Sequence, residues 1–378
     1  MKPLGPRIRN RQITGFSLVE VLVGMAIALI GIVIMFQVME NADTRKRTTA
    51  AGGDAQVSGS IAMYNLERDI RLAGNGFGSA SAATMGCNIN AYDTARAATF
   101  TFPLAPVLIV NGAAGAPDQL VVLYGNSASA PIDQSFSIST TTSKKMASTS
   151  SRGGLRRGDL VLVTSGATCG MVEITDNTDI DQLTVNHATG NYTNALGLAT
   201  IARFNDPAGF STASGLVFHL GNRDLPRRNI WQIVNRRTLT VTDDLHLGAA
   251  AEIGEGIINL QAQYGLDTTS PRDYIVDTWQ TAAPANWTQL VAVRVALLAR
   301  SQQYEKAAIP NYATCPVDPA TDPATCQRPA WAGGIFTMLN LDGTADTNPD
   351  SVDDWRHYRY RIYETTIPLR NMIWGTAP

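Results

Sequence analysis

Charge is scarce in this chain. Asp, Glu, Lys and Arg make up 16% of its 378 residues, against roughly 25% in an ordinary globular protein. Ser, Thr, Ala, Gly and Asn fill the gap, a texture that suits an exported β-rich protein. The common signatures of catalysis are missing as well. There is no GxSxG elbow, no phosphate-binding P-loop and no HExxH. The four histidines, His187, His219, His246 and His357, are scattered and read as surface or strand residues rather than ligands or bases. No CxxC or HxxxH spacing is present, which argues against zinc. No catalytic residues, no cofactor and no small-molecule substrate are expected. The formal net charge is -2, and nothing in its distribution argues for a nucleic-acid partner.

Cysteine is limited to Cys87, Cys169, Cys315 and Cys326. An even count behind an export signal suits disulfides in an oxidising compartment. Cys315 and Cys326 enclose a Pro- and Asp-rich loop, Pro316 to Thr325, and are the preferred pair. Cys87 with Cys169 then follows by elimination. Four unpaired thiols are the alternative.

Acidic residues are nearly absent from the N-terminal region, and the exception stands out. Residues 1–15 carry Lys2, Arg7, Arg9 and Arg11 and no acid; removing these four charges takes the net charge from -2 to -6. An uncharged run, Val21 to Phe36, follows. A basic segment before an apolar run is the start of a secretory signal. No Ala-x-Ala cleavage site follows the run, which passes directly into Gln37, Glu40 and Asp43. Phe16 to Met39 would form about 36 Å of helix at 1.5 Å per residue, enough to span a bilayer. The positive leader would stay cytoplasmic, placing the bulk of the chain outside the inner membrane. A plain uncleaved signal anchor would share these features. It would not explain Glu20, because a carboxylate at the centre of a lipid-spanning helix costs about 2.5–3.5 kcal/mol. An amino group at Phe16 would lie close to Glu20, one helical turn on.

Gly15-Phe16-Ser17-Leu18-Val19-Glu20, with the basic leader and the apolar run, resembles the class III signal of type IV pilins and type II secretion pseudopilins. The resemblance implies that a prepilin peptidase cuts between Gly15 and Phe16 and methylates the new N-terminal Phe16. It also implies that Glu20 is the assembly carboxylate, contacting the N-terminus of a neighbouring subunit. Later stretches look like the minor pilin subfamily PilW. They are Asp69-Ile70-Arg71-Leu72-Ala73-Gly74, Asn259 to Tyr264, Leu290 to Arg300, and Tyr363-Glu364-Thr365-Thr366-Ile367-Pro368-Leu369-Arg370-Asn371. Residues 79–245 match nothing nameable. Pseudopilin J of type II secretion is related and usually shorter, so length favours the pilus.

The expected fold class is α+β and pilin-like, with a long N-terminal helix packed on a large β-rich head. The expected segments are a leader (1–15), a transmembrane and assembly half-helix (16–39), an amphipathic half-helix (40–73) and a periplasmic head (74–378) of one or two subdomains. Asp43, Arg45, Lys46 and Arg47 mark the exit into water, and Gly52-Gly53 is a weak point for a kink. Val57, Ile61 and Tyr64, together with Ala62, Leu66 and Ile70, recur at helical spacing and are expected to pack on a sheet. Glu67, Arg68, Asp69 and Arg71 are placed on the other side. Gly74-Asn75-Gly76-Phe77-Gly78 ends the helix and, following a helix rather than a strand, is no dinucleotide fingerprint.

Short strands are expected from residue 79 onward, among them Leu120–Tyr124, Asp133–Ile138, Asp159–Thr164 and Leu216–Leu220. Ser137–Ser151 reads as a mobile low-complexity loop, and residues 249–264 as a short amphipathic helix running into a strand. In the long strand Val291–Arg300, alternate Val and Leu are expected inward and Arg294 outward. Arg157-Gly158-Asp159 spells a cell-adhesion tripeptide but reads as a turn before a buried strand. Two acidic loops remain, Asp176/Asp179/Asp181 and Asp342/Asp346/Asn348/Asp350. Alternating oxygen ligands could hold calcium, but neither loop matches the EF-hand pattern and both have the composition of ordinary solvated loops. The tryptophans, including Trp279, Trp287, Trp331 and Trp355, suit core or interface packing, with a sugar- or protein-binding surface as the alternative.

The functional expectation is a minor pilin of a type IV pilus that takes part in pilus initiation and sits at or near its tip. Its expected partners are other minor pilins, the major pilin, the prepilin peptidase and the inner membrane. A type II secretion pseudopilin and a tip adhesin or DNA-capture subunit are the alternatives.

Overall fold

The computed structural model describes residues 15, 17–127, 134–146, 154–176, 184–316, 319–341, 343 and 354–375. Phe16, Asp179, Asp181, Asp342, Asp346, Asn348 and Asp350 lie outside them. The chain divides into two compact units, residues 1–51 and 52–378.

Helix α1, Leu18–Leu72, belongs to both. Its helical residues run through Gly52 and Gly53 without a break. In the second unit its final turns carry two apolar stripes on opposite sides. Ala62, Leu66, Ile70 and Ala73 are completely buried. Val57, Ile61 and Tyr64 face solvent. The expectation merged the two stripes. At 100° per residue, Ile61 and Leu66 lie on opposite sides of the helix, and one sheet layer can cover only one of them. Gly59 lies on the covered side, where a Cβ would meet the Tyr363 ring at 2.1 Å.

Among the described residues, three large sheets make the head, joined by two two-stranded ones, Asn191–Thr193 with Ala199–Ile201 and Ala330–Trp331 with Gly334–Ile335. The first has eight strands, in the order Ala98–Pro103, Asn88–Asp93, Thr168–Glu173, Asp159–Ser165, Gly215–Asn222, Gln134–Ser139, Ser143–Met146 and Thr184–Asn186. Its pairings are antiparallel except that between Asn88–Asp93 and Thr168–Glu173. The second has five antiparallel strands, in the order Ala251–Glu255, Thr238–Asp243, Arg227–Val234, Gln119–Tyr124 and Val107–Val110. The third has four antiparallel strands, Thr278–Gln280, Ile257–Leu266, Leu290–Arg300 and Tyr360–Pro368. One core joins all three sheets to the buried face of α1. Buried Asp118 links the second sheet to the third by accepting from Gly112 and Ala262 N–H groups, both at 2.9 Å. Burial holds its carboxyl above the ordinary range. The Ile109 N–H donates to the Tyr264 hydroxyl oxygen at 2.6 Å and makes a second link.

Four further expectations need correction. Residues 249–264 form no helix. They are parts of two strands in different sheets, broken at Gly256, whose φ of 80° only glycine adopts at little cost. The Ile repeat that resembled a helical face is β-branched and pairs as strand. Ser137–Ser151 is not one loop: strands continue to Ser139 and resume over Ser143–Met146, and 147–151 lies outside the described residues. The strand Leu290–Arg300 is covered on both faces, because Ala296, Leu298, Cys315, Phe336, Met338 and Trp355 form a second cluster behind the third sheet. Arg294 is therefore half-buried, its guanidinium 4.5 Å from the Trp279 ring and 5.4 Å from the Trp331 ring. Asp69, expected on the outer side of α1, faces inward.

Both disulfides are formed. Cys87–Cys169 ties the parallel pair in the first sheet, and Cys315–Cys326 closes the loop beside the second cluster.

Candidate functional site

The membrane-length half of α1 has no core of its own. From Leu18 to Asp43 it is long and apolar enough to cross a bilayer, and it buries none of its side chains within the chain. Exposures from 47% at Val21 to 77% at Leu18 would be very costly in water. Such a helix requires lipid or other apolar helices around it. Within its first turn stands Glu20. The Glu20 N–H donates to the Ser17 carbonyl at 3.0 Å as the helix starts. Ser17 and Glu20 have the spacing of a capping box, and the positive end of the helix dipole favours a carboxylate there. The position thus lowers, without removing, the cost of carrying that charge into lipid. Gly15 is exposed just before the helix, and the assignments to Phe16 fall outside the described residues.

The other half is anchored by a polar grip that the helical pattern had concealed. Asp69 is 6% exposed. Its carboxylate accepts the Trp231 indole N–H at 2.7 Å and Asn229 amide hydrogens at 3.0 Å. The Asn229 amide also donates to the Tyr124 hydroxyl oxygen at 3.3 Å. Burial first, and the charge of Asp69 next, hold the Tyr124 phenol well above its ordinary pKa. The available signal was angular. Asp69 lies seven residues after Ala62 and three after Leu66, on the buried face rather than with Arg68. Glu67 and Arg71 do lie outside, joined in an i,i+4 ion pair. Past the helix end, Gly76 has a φ of 89°, and a Cβ there would meet the His219 carbonyl oxygen at 2.6 Å.

The remaining sequence candidates are drawn into structure. Asp159 of the Arg157-Gly158-Asp159 tripeptide is buried; it accepts the Arg156 N–H at 2.7 Å and pairs with His219 Nε2 at 2.9 Å. The tripeptide is a turn, with Gly158 at φ 92°. Three of the four histidines, His187, His219 and His357, are buried; His219 is a strand residue, whereas His187 and His357 are neither strand nor surface residues. Trp231, Trp287 and Trp355 are buried as well, while Trp374 is 78% exposed. Among the described residues, no group of three or more His, Cys, Asp or Glu is placed to hold a metal ion.

His187 gives the head a pH dependence. Lys144 is fully buried; its Nζ lies 2.8 Å from His187 Nε2 and donates to the Phe210 carbonyl at 2.7 Å and the Thr140 carbonyl at 3.0 Å. Burial lowers the Lys144 pKa to about 8. Burial, then the Lys144 charge, lower that of His187 from 6.5 to about 3. The unfolded chain therefore takes up a proton near pH 6.5 that the folded chain refuses until about pH 3. The stability contribution is complete above pH 6.5 and is lost as pH falls through that window, by up to about 1.4 kcal/mol per unit. Urea unfolding between pH 4 and 7 should show this slope. His187→Gln, which still offers Lys144 an acceptor, should reduce it by one proton; equal slopes would contradict the assignment.

An exposed apolar helix with one carboxylate in its first turn, continuing into a half gripped by a β-rich head, defines a pilin-like protein. The family profile for type IV pilus-assembly protein W (PilW) matches residues 233–371, and the prokaryotic N-terminal methylation motif matches residues 10–36. Over those stretches the chain is similar to the PilW family and to the N-terminal methylation motif of prepilin-like proteins. The PilW match spans the third sheet and the cluster behind it. No curated protein and no solved structure matches the chain.

Proposed function

We propose that the chain is a minor pilin that takes part in initiating and assembling a type IV pilus and is placed at or near the tip. The observation that carries this reading is the unburied helix Leu18–Asp43 with Glu20 in its first turn, coinciding with the methylation motif over residues 10–36. As the precursor, the protein is a single-pass inner-membrane protein with a periplasmic head. Prepilin peptidase cuts between Gly15 and Phe16 and methylates Phe16. In lipid the helix is stable as a monomer apart from the cost of Glu20. Packing against the methylated amine of a neighbouring minor or major pilin offsets that cost, so one charge pair favours the assembled state.

Glu20→Ala is expected to leave cleavage intact, with mass spectrometry finding methylated Phe16 at the mature N-terminus, while piliation falls at least tenfold. Full piliation in that variant, or an N-terminus other than Phe16, would sink the proposal. The PilW match over residues 233–371 favours the pilus over a type II secretion assembly.

A further inference from the structure

The outer face of the first sheet changes character across its width. Over the central strands it is apolar: Val161, Val163, Val172, Val217 and Phe136 pack together there with Phe210 against them. Toward the edge formed by Asn88–Asp93 and Ala98–Pro103 it becomes polar. Ile89 and Ala91 point into the core, so alternation turns Asn90 and Tyr92 outward. Register sets Asn90 opposite Thr101 and Tyr92 opposite Thr99. On the other side Asn90 pairs with Gly170. The missing side chain at Gly170 lets the Phe210 ring close onto the sheet, since a Cβ there would be 2.5 Å from it. The result is a groove of about 270 Å³, floored by the polar strand pair and walled by Phe210 and Asp206.

His187, which also lines the groove, is held by Lys144, but the polar groups of the groove floor are uncommitted. Among the described residues, the side chains of Asn90, Tyr92, Thr99 and Thr101 make no hydrogen bond within the protein. Asp206 uses one carboxylate oxygen on the Ala208 N–H at 2.8 Å; the other has no protein partner. The open polar groove near Tyr192 is different: the Tyr192 hydroxyl there donates to Glu173, and Thr175 Oγ1 donates to the Asn186 carbonyl at 3.4 Å.

We propose that this groove binds a neutral carbohydrate, one or two pyranose units of a glycan. Two aromatic side chains, Tyr92 and Phe210, line the groove and give it apolar surface of the kind that the C–H side of a sugar ring packs on. Asn90 offers a donor and an acceptor on one amide, the pairing that adjacent hydroxyls require. Asp206 is an acceptor-only group suited to sugar O–H donors. No lysine or arginine side chain lines the groove, which disfavours a phosphate or carboxylate ligand. Lys144 lies over the Phe210 ring, 5.8 Å from its centroid, with its ammonium held by the Thr140 and Phe210 carbonyls and by His187. The floor is too polar for a lipid chain. A cavity somewhat below the roughly 300–1,000 Å³ of drug-sized sites suits a short saccharide and is too small for a folded partner.

The test uses the full-length protein in lipid nanodiscs on an array of neutral oligosaccharides, with affinities for the hits measured by calorimetry. Saturable binding to a hexose-containing glycan is expected. Tyr92→Ala and Asp206→Asn should each weaken it at least tenfold. Thr101→Arg is decisive because Thr101 is exposed; it fills the groove with little risk to folding and should abolish binding while the thermal midpoint stays put. Absence of binding to any glycan on the array overturns the proposal, as does binding that Thr101→Arg leaves unchanged.

Discussion

Asp69→Ala is expected to destabilise the head by about 3 kcal/mol, since hydrogen bonds to a charged group contribute about 1.5–3 kcal/mol each and a stranded buried donor adds its own desolvation cost. The loss is not only of a carboxylate. The Trp231 indole N–H, now held at 2.7 Å, would be left without its acceptor at a nearly closed site. Asn229 would keep only its 3.3 Å contact to Tyr124. Asp69→Asn should cost about half as much, because one amide oxygen remains to accept from Trp231 and the two amides can pair. Glu67→Ala, which removes an exposed i,i+4 pair on the same helix, should cost under about 0.5 kcal/mol. Urea unfolding of the three variants gives the ranking. If Asp69→Ala stays within about 0.5 kcal/mol of wild type, the inward carboxylate does not grip the helix in the way described.

Asp69 also shows where reading the sequence succeeds and where it stops. The long helix, its end at Leu72 before the glycines, and the strands Gln119–Tyr124, Asp159–Ser165 and Leu290–Arg300 were legible because each has a strong period or a clear stop signal. Which helical face is buried was harder, because two apolar stripes competed. A single buried acid among Glu67, Arg68 and Arg71 looked like one more surface charge. Ala251–Glu255 and the start of Ile257–Leu266 were mistaken for a helix because three isoleucines fell at helical spacing, while Leu260–Gly265 was read as the strand it is; the break at Gly256 and the β-branching were the stronger evidence. The second cover on Leu290–Arg300 could not be read locally. It comes from Cys315, Phe336, Met338 and Trp355, far along the chain, so the strand has no polar face to alternate with.

The site divides in the same way. The proposed roles of Gly15, Phe16 and Glu20 rest on a local motif, with charge before it and apolar residues after it. The groove by Asn90 and Tyr92 is not readable. It needs the register of Asn88–Asp93 on Ala98–Pro103, a parallel neighbour from residue 168 onward, and a ring from Phe210 that only a glycine at 170 admits. None of these residues is unusual alone. Their chemistry emerges when three distant segments come together.

That same parallel junction carries the largest expected effect of covalent change. Replacing Cys87 and Cys169 together with alanine should cost about 4.5 kcal/mol by the chain-entropy relation, because the bond closes a sequence separation of 82 residues. The Cys315–Cys326 pair closes only 11, for which the same relation gives about 2.8 kcal/mol. Position adds to the difference. The Asn88–Asp93 strand meets Thr168–Glu173 through only two paired positions, Ile89 with Cys169 and Asn90 with Gly170, so few ladder hydrogen bonds hold the junction once the bond is gone. The shorter loop lies beside its own cluster, where Arg356 donates to the Cys315 carbonyl at 2.9 Å and remains as a tether. Equilibrium unfolding of the two double variants should therefore place Cys87→Ala/Cys169→Ala as the weaker protein. It should also lose protection from amide exchange first along Asn88–Pro103, the strands that form the proposed sugar groove. The reverse order of stability, or exchange protection lost first around residues 312–338, would show that the parallel junction is held by packing rather than by its disulfide.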